Sequence, residues 1–207
     1  VQTPLGRGYL SLEGYYRVTH DNIERTTTIY EDNVLLHTFE NAGTSYSMGA
    51  ELVLNTSLTR WYNLNWTLDL YKYRIEGVNE TSRKESDNWS IRLNNDFRLG
   101  TFRFQINMRY FSPTVTSQGK RSGYRVVDLA LKKFLLKKRL ALTLQARDVL
   151  QTGKFEYTSE GENFNYHSVF DRKSPFVTLE ITYNFNNYMQ FKKKMPREEN
   201  GEEFEIY

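Results

Sequence analysis

Residues that could perform catalysis or bind a metal are present in this chain, but their spacing matches no arrangement that carries such chemistry. The histidines His20, His37 and His167 lack ligand spacing such as His-x-x-x-His, and cysteine is absent. No nucleophile elbow, phosphate-binding loop or dinucleotide-binding fingerprint occurs. Carboxylates are numerous but fall in no context that implies catalysis. The sequence therefore predicts no metal site, no cofactor and no enzymatic activity.

Charged residues recur at alternate positions in segments whose intervening positions are apolar. They are Glu13, Arg17, Glu51, Asp69, Arg92, Asp96, Arg98, Arg103, Arg109, Asp128, Lys132, Arg147 and Glu180. One interpretation is a hydrated lumen that contacts a plug domain and passes solute, since so many buried unpaired charges would be prohibitive. The other is a set of salt bridges between neighbouring strands, which needs no solute. Both interpretations stay open.

Aromatic residues in the long polar stretches form a second set of candidates. They are Tyr30, Tyr157, Phe164, Tyr166 and Phe170. They could contact a solute or a lid partner, or they could pack locally within surface loops. The overall charge is nearly even, with 28 basic and 25 acidic residues and a net charge of +3. This balance does not favour a nucleic-acid partner.

Alternation with a period of two residues predicts the elements that carry these side chains. In residues 101–111, apolar Phe102 and Phe104 alternate with polar Arg103 and Gln105. Successive side chains of a strand point to opposite faces, so this pattern indicates a strand with one apolar and one polar face. About eight such segments occur, at residues 9–19, 45–55, 62–73, 88–99, 101–111, 124–134, 139–147 and 177–185.

The connections between these segments alternate in length. Tight turns are predicted at 59–61, 99–101 and 136–139, and long polar loops at 20–44, 76–87, 112–123 and 148–173. Short periplasmic turns and long extracellular loops are typical of transmembrane barrels. We therefore predict an all-β, antiparallel, up-and-down transmembrane β-barrel with about eight strands present.

A soluble lipocalin-like barrel would also alternate, with its apolar residues inside. Three features favour the membrane. The segments have about the ten-residue length that a tilted membrane strand needs. The apolar rows carry essentially no charge until Lys133, and a charge at the bilayer midplane costs about 2–4 kcal/mol. Aromatic residues such as Tyr62, Trp89 and Tyr183 cluster near strand ends, where the membrane meets water.

Four stretches resemble the C-terminal barrel of TonB-dependent outer-membrane receptors, of the kind found in Bacteroidota. Residues 39–51, with Asn41, Gly43, Gly49 and Glu51, resemble one of that family's strand entries. The other stretches are residues 10–23, which resemble an opening strand and loop, 127–150, which resemble the penultimate hairpin, and 177–186, which resemble the closing strand.

The resemblance implies uptake of a scarce nutrient across the outer membrane of a Gram-negative bacterium. Intact members carry a plug domain inside a barrel of 22 strands, so this chain would supply the last third of the barrel. The partners implied are membrane lipid, the plug, TonB through a missing N-terminal region, and a surface lipoprotein as lid. We expect residues 1–186 to form the barrel portion and 187–207 a polar tail.

Two alternatives stay open beside this interpretation. The chain could be a complete eight-stranded barrel with a structural or adhesive role, which its first and last strands would reveal by pairing with each other. Some outer-membrane barrels are proteases or lipid hydrolases, with a nucleophile or acid pair that sequence alone does not reveal.

Overall fold

Nine antiparallel strands form the main sheet of this computed structural model, which describes residues 1–31, 34–77, 82–161 and 163–185. In spatial order they are β1 (Gln2–Leu5), β2 (Gly8–Thr19), β5 (Thr44–Ser57), β6 (Tyr62–Glu76), β7 (Arg83–Leu99), β8 (Phe102–Phe111), β11 (Tyr124–Leu135), β12 (Leu140–Arg147) and β15 (Phe176–Tyr183). A short 3-10 turn, Leu136–Lys138, joins β11 to β12. Within the described residues, no helix is long and apolar enough to cross a membrane.

The strand register separates the side chains of the main sheet into two faces. On the apolar face Leu68 lies opposite Ile91, and Leu93 opposite Met108. This face is open: Ile181 is 65% exposed, and other large apolar residues of the same face are exposed as well. Soluble proteins rarely expose a continuous apolar surface of several strands, since large exposed patches mark contact with membrane or a partner. The described residues therefore have no dry apolar centre of the kind that a soluble carrier requires.

The apolar face is bounded at both ends by aromatic rings. On β7, Trp89 stacks on Tyr110 at a centroid distance of 4.3 Å, and Phe97 stacks on Tyr62 at 4.6 Å. Trp89 and Phe97 are eight residues apart, which is about 26 Å along a strand and roughly 20 Å across a barrel wall tilted by about 40°. The spacing is close to the height of the apolar band of outer-membrane barrels.

Charged side chains take over on the same face beyond the Trp89 ring. Lys72 contacts Glu85 at 3.5 Å, and Arg83 contacts Glu85 at 3.1 Å. Arg74 pairs with Glu76 at 3.2 Å. Strands β6 and β7 thus extend past the apolar band into a region where charges are well solvated.

The predicted count of about eight strands is wrong, because the described residues already contain fifteen. All eight predicted segments lie in the main sheet. The additional strands are the short β1 and six strands inside predicted loops, where neither face is uniformly apolar. Those six are β3 (Ile23–Glu31) and β4 (Val34–Asn41), which form a hairpin, and β9 (Thr114–Val115), β10 (Gly119–Arg121), β13 (Phe155–Gly161) and β14 (Phe164–Phe170), which form a four-stranded sheet.

The main sheet does not close on itself. Strand β1 pairs only with β2, and β15 pairs only with β12, so each has one unpaired edge among the described residues. The expected antiparallel meander is confirmed, but a closed barrel is not formed by these strands alone. The predicted tail, residues 187–207, lies outside the described residues.

Candidate functional site

The thirteen predicted charged residues all occupy the polar face of the main sheet. Five of them form ion pairs: Arg109 with Asp128 at 2.9 Å, and Asp96 with both Arg98 and Arg103 at 3.1 and 3.3 Å. The other eight form no ion pair within the described residues. They are Glu13, Arg17, Glu51, Asp69, Arg92, Lys132, Arg147 and Glu180. Cross-strand pairing therefore accounts for part of this row, and the remainder depends on hydration.

Three carboxylates lie in a row across the first long strands. Glu13 is directly opposite Glu51, and Glu51 is directly opposite Asp69. Like charges in this arrangement are destabilising, so the row is not explained by sheet stability. The Tyr15 hydroxyl donates a hydrogen bond of 3.1 Å to Asp69. These residues and Arg17 line a cleft of about 590 Å³, called here the inner cleft.

The other half of the polar face is basic. A cleft of about 850 Å³ there is lined by Arg109, Arg147, Arg172 and Lys173, together with Asp128 and other residues. The charges of the polar face are therefore unevenly segregated: among the thirteen residues, β2, β5 and β6 carry three carboxylates and one cation, whereas the strands from β7 onward carry six cations and three carboxylates. Such segregation creates a lateral electric field across a hydrated surface.

Three of the four predicted long loops, 20–44, 112–123 and 148–173, form a folded cover, called here the loop roof, which consists of the β3–β4 hairpin and the four-stranded sheet. In the fourth, 76–87, residues 83–87 are the start of β7. Glu24 ties it to the main sheet, since its carboxylate accepts hydrogen bonds from the Tyr73 hydroxyl at 3.2 Å, the Asn22 amide at 3.1 Å and the Ser117 backbone N–H at 2.9 Å. Residues 114–116 of β9 and the following turn line the inner cleft. The loop roof therefore covers part of the polar face.

Gln118 joins the two parts of the loop roof. Its side-chain oxygen accepts hydrogen bonds from the Thr27 N–H at 2.7 Å and the Ser159 hydroxyl at 3.0 Å, and its amide nitrogen donates to the Thr27 carbonyl at 3.1 Å. Thr27 and Ser159 are almost completely buried. Because buried polar groups without partners are costly, this arrangement holds the hairpin against the four-stranded sheet.

A cleft of about 430 Å³ opens between these two parts and is called here the aromatic cleft. Phe155 stacks on Phe170 at 4.8 Å, and Tyr166 contacts the His37 ring at 5.1 Å. The complete lining is Glu24, Arg25, Thr27, His37, Thr116, Arg121, Phe155, Tyr157, Tyr166 and Phe170. Glu24, Thr116 and Arg121 also line the inner cleft, so the two clefts share a wall.

The structure brings together three of the five predicted loop aromatics. Tyr157, Tyr166 and Phe170 line the aromatic cleft. Phe164 lies on the same face of the four-stranded sheet but does not line the cleft, and Tyr30 is 67% exposed near the end of β3. Sequence reasoning did not assign the remaining members of the lining to a common site, because they come from three separate loops. The alternation of Phe155 with Tyr157 could have indicated that face.

Asp148 fastens the start of the last long loop, at the end of β12. Its carboxylate accepts hydrogen bonds from the backbone N–H groups of Thr152 and Gly153, both at 2.9 Å. Burial raises the pKa of Asp148, but hydrogen bonds from Ser174, Thr152 and Gly153 outweigh it and lower the pKa below its usual value. Asp148 therefore serves as a charged anchor for this loop rather than as a proton donor at neutral pH.

Among the described residues, no group of three or more His, Asp or Glu side chains could hold a metal ion.

Comparison with known proteins agrees with the geometry of the sheet. The model of the outer membrane protein beta-barrel family matches residues 5–183. No curated protein and no solved structure matches the chain. The family match locates the chain in an outer membrane, which agrees with its open apolar face, and we conclude that the chain belongs to the outer membrane protein beta-barrel family.

Proposed function

We propose that this chain forms the wall and external loop roof of a TonB-dependent receptor that imports a scarce nutrient, such as a siderophore, vitamin, glycan or peptide. The observation that carries the proposal is the open nine-stranded sheet with a roofed polar face. Unpaired strand edges are not tolerated in lipid, and in this proposal β1 and β15 pair with further strands rather than with each other. The bacterium is Gram-negative, and the resemblance to receptors of Bacteroidota suggests its group.

A complete small barrel is the alternative with a structural or adhesive role. Two observations favour the larger barrel. Single-chain bacterial barrels have an even number of strands, whereas the main sheet has nine. An eight-stranded barrel has room only for side chains, whereas the polar face here bounds clefts of about 590 and 850 Å³.

The unpaired charges of the polar face fit a plug domain within a hydrated lumen. Glu13, Glu51 and Asp69 have no cationic partner within 4 Å among the described residues, and the inner cleft leaves them accessible. A basic surface of the plug would neutralise this row. Catalysis is not part of the proposal, and a surface lipoprotein could cover the loop roof.

Disulfide crosslinking tests whether the sheet closes. The chain has no cysteine, so pairs introduced on the polar face, at Gln2 on β1 and Thr178, Glu180 or Thr182 on β15, would report edge pairing without background. We expect no crosslink in outer membranes. A control pair at Leu129 and Ala146, which are directly opposite each other on β11 and β12, should crosslink. Efficient crosslinking of β1 to β15 would support the small barrel.

Transport is tested in cells that lack the protein. A deletion strain should lose growth on at least one scarce nutrient from a panel, and loss of TonB should reproduce that defect. Wild-type protein should restore growth only when TonB is present. Normal growth on the whole panel, or rescue without TonB, would contradict the transport proposal.

A further inference from the structure

We propose that the aromatic cleft binds a planar organic anion, meaning an aromatic ring system that carries carboxylate or phenolate oxygens. The proposal deepens the proposed function by naming a class of solute, but binding itself requires no transport. Three observations carry it: the stacked rings, the groups left free for hydrogen bonding and the position of the cleft.

The rings supply flat apolar surfaces. Phe155 and Phe170 are parallel to within 16° at a centroid distance of 4.8 Å, and Tyr157 and Tyr166 complete the lining. Tyr166 is also held by the His37 ring at 5.1 Å, which limits its freedom to collapse into the cleft. Aromatic faces favour offset stacking with another planar ring. A volume of about 430 Å³ accommodates a ligand of two fused rings with its substituents.

The charged groups of the cleft leave cationic donors free, whereas the one carboxylate of the lining is already engaged. Glu24 already accepts three hydrogen bonds, from Tyr73, Asn22 and Ser117. Arg25 and Arg121 line the same cleft and form no ion pair within the described residues. A guanidinium offers donors in a planar fork and no acceptor.

This inventory discriminates between ligand classes. A neutral sugar would use the Tyr157 and Tyr166 hydroxyls, which both donate and accept, but it would leave the two guanidinium charges without an anionic partner. A planar anion needs rings and donors, which are the groups that the cleft presents. Charge-assisted hydrogen bonds to Arg25 and Arg121 would be the strong polar contacts.

The position of the cleft connects binding to the inner cleft. Arg121 and Thr116 border both spaces, so a ligand in the aromatic cleft lies against the wall of the inner cleft. The carboxylate row of the inner cleft would disfavour entry of an anion by itself. The basic half of the polar face, with Arg109 and Arg147, offers the complementary surface.

Fluorescence anisotropy of naphthalene-2,6-dicarboxylate tests the proposal on the full-length protein in detergent, with empty micelles as blank. We expect saturable binding that cellobiose does not compete. The double variant R25Q/R121Q should weaken binding at least tenfold, and F170L should weaken it severalfold. The matched control R83Q, which removes a cation that pairs with Glu85 and does not line the cleft, should bind normally.

Heat-modifiable electrophoretic migration first shows that the variants fold. Binding unchanged in R25Q/R121Q, or competition by cellobiose, would overturn the proposal. Absence of binding in the wild type would also overturn it, while leaving uptake in cells untouched. If the wild-type protein binds the probe but does not support TonB-dependent growth, the transport proposal fails and the binding proposal stands.

Discussion

Replacement of Met108 by arginine tests which solvent meets the apolar face. Met108 lies opposite Leu93, midway between Trp89 and Phe97, and its side chain is 41% exposed. If the exposed part contacts lipid, arginine there should destabilise the protein by about 2–4 kcal/mol, as at the midplane of other barrels. If the exposed part contacted water, the cost would stay within about 0.5 kcal/mol.

Asn107 provides the matched control, one residue away and on the polar face. It lies opposite Asp128, so an arginine at 107 faces a carboxylate. Cross-strand pairs of opposite charge are mildly favourable, and we expect N107R to cost less than about 1 kcal/mol. The two variants should therefore differ by about 2 kcal/mol, which corresponds to roughly 30-fold in the folding equilibrium constant.

Guanidinium unfolding of the full-length protein in lipid vesicles, followed by tryptophan fluorescence, measures both free energies. M108R should show a clearly lower midpoint than N107R with the same slope. The reasoning fails if the two variants are equally stable, or if N107R is the less stable one.

Three further predictions concern the polar face and the loop roof. D148N should reduce the loss of unfolding free energy at acid pH. The pKa of Asp148 is depressed in the folded protein, so its carboxylate contributes stability at neutral pH that is lost as the pH falls through that pKa. Identical profiles of unfolding free energy for the variant and the wild type from pH 7 to 2 would contradict this. G49A should cost about 1–3 kcal/mol in vesicle unfolding, since its Cβ would lie 2.5 Å from the Tyr71 Cβ, whereas G14A, with no atom closer than 4.0 Å, should be nearly neutral. Q118A should cost about 2–4 kcal/mol locally and make the loop roof sensitive to limited proteolysis, so unchanged cleavage would refute its anchoring role.

The main sheet was predictable because strand geometry is local. Alternation with period two fixed which residues share a face, and every predicted segment is a strand of the main sheet. The bounds were less predictable. Strand β7 begins at Arg83 rather than at 88, because its first residues pair with β6 beyond the apolar band, where both positions of the alternation are polar.

The loop roof was not predictable, since its contacts join distant parts of the chain. Thr27 bonds to Gln118 across 91 residues, and Glu24 bonds to Ser117 across 93. Strand β3 carries threonines and charges on both faces, and β4 places apolar residues on both faces, so no alternation marks them. The aromatic cleft follows from this packing, which explains why Arg25 and His37 were not predicted to belong to a common site. Tyr30, predicted as a loop contact, lies outside this cleft.

Site-directed spin labelling tests the central assignment most directly. Single cysteines along β12 and β15 would carry the labels, at Leu142, Leu144 and Ile181 on the apolar face and at Thr143 and Glu180 on the polar face. In vesicles, we expect the labels on the apolar face to be relaxed by dissolved oxygen and those on the polar face by a water-soluble nickel chelate, alternating residue by residue. The reverse assignment, or no alternation, would contradict a wall whose apolar face meets lipid.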